Sequence, residues 1–345
     1  MHLDPYVALA GLIVGFVVGL TGMGGGALMT PILVLLFKIQ PLAAVSSDLV
    51  AAMVMKPVGG GVHIKRGTVN WTLVRWLAIG SVPAAFVGVF ILKQLGNGDR
   101  VQSNLKIVLG AALMLAVASI LAKGLLQARL TRRAGADRAA GRAEAVAKPF
   151  AIKPVPTLVI GFVGGLVVGM TSVGSGSLII VALLLLYPML SAKQLVGTDL
   201  VQAIPLVASA ALGHILFGDF KLGLTASVLI GSLPGVFLGA RLSSRAHDTL
   251  IRTALMFVLL ASGLKLLNVS NDQLVVFLLA FVVVALPLWG AIDAAVRPRD
   301  DWEAAGLRRK PWIWVQGGGA LVGVGFWMAI AYFLTARPKL TAAGL

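Results

Sequence analysis

The 345-residue chain has no cysteine, four histidines, three tyrosines and only 13 acidic residues. Without cysteine there is no disulfide scaffold, no thiolate metal site and no cysteine nucleophile. Four histidines and scattered carboxylates form no ligand-spaced cluster, so metal catalysis has no footing and no cofactor is expected. Charge of either sign is scarce, at 12% of residues, where a soluble domain carries about 25%. Apolar residues are abundant instead: 58% are hydrophobic, with 41 glycines, 15 prolines and a mean hydropathy of +0.95. Glycine and proline are commoner in membrane helices than in soluble ones. An ordinary soluble protein is excluded, and at about 20 residues per span the chain is long enough for around ten crossings. Its implied solvent is a lipid bilayer.

The formal net charge is +16, but the basic residues lie in short connectors between apolar runs, where they read as orientation signals rather than as a nucleic-acid surface. No nucleic-acid partner is expected. The start, Met1 to Tyr6, has no basic n-region and the apolar run beyond it continues to Phe37, which argues against a cleavable signal. Apolar stretches recur near 6–37, 40–64, 72–95, 101–127, 155–190, 193–217, 222–241, 249–268, 273–292 and 312–335. They are long and continuous, so helices rather than barrel strands are expected. Two of them, 6–37 and 155–190, are too long for one crossing, and each is interrupted by a glycine and hydroxyl cluster.

The chain reads as a first transmembrane repeat over 5–127, a basic cytoplasmic linker over 128–153, a second repeat over 154–268 and an extension over 269–345 with two further spans. The repeat is explicit. At an offset of 150, Gly11, Gly15, Val17, Val18, Gly19, Thr21, Gly24, Gly26 and Leu28 match Gly161, Gly165, Val167, Val168, Gly169, Thr171, Gly174, Gly176 and Leu178. At 151, Asp48, His63, Gly67, Gly80, Ser81 and Pro83 match Asp199, His214, Gly218, Gly231, Ser232 and Pro234.

Basic residues favour the cytoplasmic side of membrane proteins. If each interrupted stretch goes in and comes back, Lys65, Arg66, Arg75, the linker charges, Lys193, Arg241, Arg245, Arg252 and the 293–310 cluster share the cytoplasmic side. Lys38, Lys93, Arg100, Lys221, Lys265, Arg337 and Lys339 then face the other. A single crossing spoils this imbalance. The hairpin reading gives an all-α polytopic membrane protein of two inverted repeats, with both termini outside. Inverted repeats are characteristic of transporters.

Two elbows are the candidate substrate site: Thr21, Gly22, Gly24, Gly25 and Gly26 in the first, Thr171, Ser172, Gly174, Ser175, Gly176 and Ser177 in the second. Each ends one helix and opens a half-helix, whose N-terminal amides suit an anion. The alternative is that the small residues only let helices pack closely. A dinucleotide-binding loop would need a preceding strand, which is lacking. Asp48 and Asp199 lie about eight residues into their helices, roughly 12 Å at 1.5 Å per residue, within a core about 30 Å thick. An intramembrane carboxylate marks an ion or proton path by default, although Ser46-Ser47-Asp48 and Gly197-Thr198-Asp199 also resemble helix starts. His63 and His214 relay protons or hold an interface, and Lys56 either draws an anion inward or snorkels along its helix. An intramembrane serine hydrolase built from Ser175 and His214 lacks the glycine elbow, because Val173 stands in its place.

The pattern Gly15-x-x-x-Gly19-x-x-Gly22-x-Gly24-Gly25-Gly26-x-Leu28-x-x-Pro31, repeated after a basic linker, resembles the sulfite exporter TauE/SafE family over roughly residues 5–268. The resemblance implies a multi-pass protein of the bacterial plasma membrane, built from two homologous halves, that moves small sulfur-containing anions such as sulfite and sulfonates. The second copy departs from the first at Ser172, Ser175 and Val181, which replace Gly22, Gly25 and Pro31. The expected partners are a small anionic substrate, protons and the bilayer, with the proton gradient or the membrane potential as driving force. A channel or receptor with the same helices is the rival class. The tryptophans Trp289, Trp302, Trp312, Trp314 and Trp327 mostly suit interfacial anchoring.

Overall fold

The computed structural model describes residues 3–21, 25–94, 98–139, 152–242, 248–281, 283, 286–297, 299–322 and 325–343. Among them all regular structure is helical. The apolar stretch at the start divides into α1 (Pro5–Thr21) and α2 (Gly26–Leu35), followed by α3 (Pro41–Lys65), α4 (Trp71–Gln94) and α5 (Asp99–Ala139). The second half repeats this order in α6 (Pro154–Thr171), α7 (Leu178–Leu186), α8 (Ala192–Phe217), α9 (Leu222–Leu242) and α10 (Asp248–Leu266). Both overlong stretches therefore break at the glycine clusters. Six helices are long and apolar enough to cross a bilayer, in α3, α4, α5, α6, α8 and α9. At 1.5 Å per residue the 25 residues of α3 extend to about 38 Å, enough to span a core of about 30 Å.

Local signals start these helices where they are seen. Pro5 opens α1, and the Asp4 carboxylate accepts from the backbone N–H of Tyr6 at 2.8 Å, a proline at the first position behind an acidic cap. Ser191 and Gln194 make a reciprocal capping box at α8. Pro31, Pro57, Pro83, Pro205 and Pro234 sit inside helices, which neighbouring helices tolerate in membranes. α5 runs on to Ala139, so the first part of the stretch read as a linker is helical.

The chain divides into two compact units, one of residues 1–120 with 150–268 and one of 121–149 with 269–345. In the first unit, equivalent helices of the two halves exchange partners. α1 packs on α9, and α4 packs on α6. A Cβ on Gly15 would overlap the carbonyl oxygen of Ser232, and one on Gly165 that of Ser81. In return, a Cβ on Gly231 would overlap Ala8 and one on Gly80 would overlap Leu158. These are the same close crossings made twice, and they need glycine because backbone meets backbone. The residue pairs advance together, so α1 runs parallel to α9 and α4 to α6. α3 and α8 instead run antiparallel, since Ser46 meets His214 while His63 meets Gly197. Outward from the crossings, Ile79 and Val87 on α4 and Ile230 and Phe237 on α9 are exposed, as lipid-facing positions should be.

The second unit contains α11 (Asn271–Ala280), α12 (Leu286–Val296), α13 (Arg299–Ala304), α14 (Arg309–Val322), α15 (Gly325–Ala331), a π turn over Tyr332–Ala336 and α16 (Arg337–Ala343). Its core is Ala294, Trp302, Ala329, Tyr332, Phe333, Ala336 and Leu340. Two expectations change here. Residues 312–335 are not one span: Gly317 packs near Ala291 and Gln316 meets Gly290, while Phe333 also lies beside Gly290. The chain thus goes out along α12 in α14 and returns through α15. Asp293 then binds Arg297 at 3.3 Å, Arg337 at 3.2 Å and the Tyr332 hydroxyl at 2.7 Å. Arg297 and Arg337 consequently share one side, where the charge count had separated them. Counting charges does not show that α14 and α15 both pack on α12. The tryptophans also divide: Trp314 and Trp327 are 74% and 70% exposed, but Trp302 is 2% exposed and stacks on Tyr332. Trp302 is a core residue rather than an interfacial anchor.

Candidate functional site

In the first elbow, Gly22, Met23, Gly24 and the Thr21 side chain lie outside the described residues. From Gly25 onward, its carbonyl accepts from the Leu28 and Met29 N–H groups at 3.0 and 2.9 Å, opening α2. The second elbow is described throughout. α6 ends at Thr171, whose hydroxyl donates to Val167 O at 2.6 Å and accepts from Val173 N at 3.1 Å. Ser172 takes a left-handed backbone with φ 60, and Gly174 and Gly176 follow with φ 123 and 94. Glycine is required at the last two because side chains rarely tolerate those angles. Leu178 N then donates to Gly174 O at 3.0 Å and α7 begins.

The two elbows meet. A Cβ on Gly26 would overlap the backbone and hydroxyl oxygens of Ser172, so the start of α2 touches the end of α6 directly. Ser175, Gly176 and Ser177 also share a small pocket with Val18, Ala27 and Leu28, closed by Ala116 and Ile120 of α5 and Leu255 and Leu259 of α10.

Two charged side chains, Asp48 and Lys56, adjoin this junction and a third, Asp199, lies beyond it. Asp48 is fully buried and accepts from the Thr30 hydroxyl at 2.8 Å. Asp199 is buried as well. Half-buried Lys56 donates from Nζ to Ser175 Oγ at 2.5 Å, and it lies within electrostatic range of both Asp199 and Asp48. The carboxylates stand at two levels. With α3 and α8 antiparallel and His63 beside Gly197, Asp199 is level with about residue 61 of α3, which is about 20 Å along the helix from Asp48 at 1.5 Å per residue. Lys56 lies between these levels.

His214 is fully buried, with one ring nitrogen 2.8 Å from Ser46 Oγ and the other 2.8 Å from Gly169 O. A carbonyl only accepts, so Nε2 carries its proton towards Gly169. Both nitrogens are thereby used, and His214 and Ser175 do not form a catalytic pair. His63 is half-buried and pairs with Thr68, five residues on, at 2.9 Å. Among the described residues, no three histidines or carboxylates converge to hold a metal.

The junction thus unites Gly25, Gly26, Ser172, Ser175, Asp48 and Lys56, with Asp199 at the further level, and leaves the two histidines towards the ends of the α3/α8 pair. Sequence reasoning missed Thr30 and Ser46. Thr30 is an isolated hydroxyl in an otherwise apolar run, and Ser46 stands two residues before Asp48; those placements were the available signals.

The sequence pattern of the sulfite exporter TauE/SafE family matches residues 7–266. The chain belongs to this family. It is 38% identical over 262 residues to the probable membrane transporter protein YjnA of Bacillus subtilis (strain 168), which covers 76% of this chain and 98% of that one. It is 23% identical over 261 residues to the probable membrane transporter protein YdhB of the same organism, covering 76% of this chain and 99% of YdhB. No solved structure matches it. Family and apolar helices together make it a multi-pass membrane transporter, and the matched region ends before the second unit's α11 to α16.

Proposed function

We propose that this TauE/SafE-family transporter is a secondary exporter of a small anion, sulfite or an organosulfonate, across the bacterial plasma membrane, with net movement coupled to protons. The observation that carries the reading is the meeting of two chain-reversing elbows beside an intramembrane lysine and two carboxylates. Hydroxyls and half-helix starts supply anion donors, and buried carboxylates supply proton sites. Repeats over 5–127 and 154–268, inverted about a cytoplasmic linker at 128–153, account for α3 running against α8 while α1 runs with α9. A single crossing of each interrupted stretch would make α3 and α8 parallel. Returning Arg337 and Lys339 to the side of Arg297 steepens the charge imbalance.

The test is counterflow in proteoliposomes with sulfite, methanesulfonate, acetate and phosphate. Saturable uptake driven by the same anion preloaded inside supports a transporter; flux that neither saturates nor shows exchange supports a channel. A single cysteine at Ala139 should label only after permeabilisation and one at Ser103 from outside; labelling of both from one side defeats the inverted topology. One contact favours a second reading, intramembrane hydrolysis, because serine and lysine also pair in some hydrolases. Labelling of Ser175 by a fluorophosphonate would support it, and an inert Ser175 leaves transport alone.

A further inference from the structure

We propose that Lys56 is the seat of the transported anion, and that Asp48 and Asp199 are charge gates standing one towards each face of the membrane. This rests on the anion-transport reading and adds where the anion stops and what holds it there. Lys56 Nζ reaches from α3 to Ser175 Oγ, 2.5 Å away on the elbow of the other half. An ammonium has three donors, so its bond to Ser175 leaves donors for a bound oxyanion. The elbow's serines stand alongside, with Ser172 and Ser175 buried. The repeat places Val207 at the equivalent position in the second half, so the two halves share one lysine between two aspartates.

The levels of these groups give the arrangement its logic. An anion held at Lys56 has a carboxylate beyond it in either direction along α3 and α8. Each ionised carboxylate repels it, and in a low-dielectric interior that repulsion is strong. An anion leaves towards the side whose carboxylate has been neutralised by a proton, which ties direction to protonation without moving the lysine. The elements packed on α3 add no competing charge at this height. α2 carries no charged residue, α9 only Arg241 at its end, and α8 has Lys193 and His214 at its two ends besides Asp199. His63 and Lys65 lie at the far end of α3 itself.

The ligand class follows. One ammonium flanked by hydroxyls suits a small monovalent oxyanion, a sulfonate, hydrogensulfite or carboxylate, over a dianion, which would meet two carboxylates with one positive charge to set against them.

The experiment uses the full chain in lipid nanodiscs and reads equilibrium binding of methanesulfonate, permanently monovalent, against sulfate, with thermal melting as the check on folding. The wild type is expected to prefer methanesulfonate. Lys56→Met should weaken its binding at least about ten-fold, the effect of losing one buried charge-assisted hydrogen bond, while Lys56→Arg stays within a few-fold. Asp48→Asn and Asp199→Asn, which keep Lys56, should tighten methanesulfonate and narrow the preference over sulfate. Wild-type affinity in folded Lys56→Met overturns the proposal. So does unchanged selectivity in both aspartate variants, which decides the matter even if Lys56→Met does not fold. Failure of the wild type to bind any monovalent oxyanion also overturns it. Lys56-dependent binding without counterflow would retain the seat and reject transport, whereas counterflow indifferent to Lys56 would do the reverse.

Discussion

Gly15 against Ser232 and Gly165 against Ser81 are one contact made twice, whereas Lys56, Thr30 and Ser46 of the first half face Val207, Ile180 and Gly197 at the equivalent positions of the second. The halves agree where backbone packs on backbone and in the buried pair Asp48 and Asp199, and differ at these three polar positions. Packing explains the first agreement, because both crossings demand a residue without a side chain. It does not explain the differences, since an intramembrane lysine or threonine costs free energy that an apolar residue would not. The shared glycines therefore report on the fold, and the unshared Lys56 and Thr30 on the task.

The largest effects should come from the shared contacts. Gly15→Leu and Gly165→Leu each drive a side chain into a carbonyl, and both should lose the folded protein in detergent gel filtration to a similar extent. Survival of one with loss of the other would break the equivalence of the two crossings.

At the histidines the halves part. His214 joins three helices through Ser46 and Gly169, while His63 is tied to Thr68 in its own half. His214→Ala should destabilise by about 2 kcal/mol and His63→Ala by less than about 1 kcal/mol in thermal melts, from the cost of stranding buried partners. Equal losses would make the two ends alike.

The aspartates should separate in function more than in stability. Asp48 is bonded by Thr30 beside the first elbow, so Asp48→Asn should flatten the pH dependence of net transport while sparing anion exchange, with Asp199→Asn doing so less. Wild-type pH dependence in both would leave them as structural residues. The smallest effect is expected at Gly59, where a Cβ would meet nothing within 4 Å. Gly59→Ala should be neutral, or stabilising by up to about 1 kcal/mol from helix propensity.

Much of this was legible in the sequence because the bilayer forces long apolar runs to be helices and the repeat printed its own register. The breaks at Thr21 and Thr171 followed from length alone. The doubling back within 312–335 did not, since hydropathy is blind to direction. Trp302 was misplaced because tryptophan serves both interface and core, and only its stacking on Tyr332 distinguishes them. The Lys56–Ser175 contact joins residues 119 apart, which no local pattern encodes; the repeat hinted at it only by leaving Lys56 unmatched.

The central claim is that the anion is held where the two elbows meet. Ser177 lines the pocket there and is half-buried, and the chain has no cysteine of its own. Ser177→Cys can therefore be labelled with a small anionic thiol reagent in proteoliposomes, with and without each anion that gives counterflow. The account predicts that a transported anion slows the labelling, with half-protection at the concentration that half-saturates flux, and that a non-transported anion of equal charge does not. Labelling at one unchanged rate across all anions, in protein that still transports, would place the anion elsewhere.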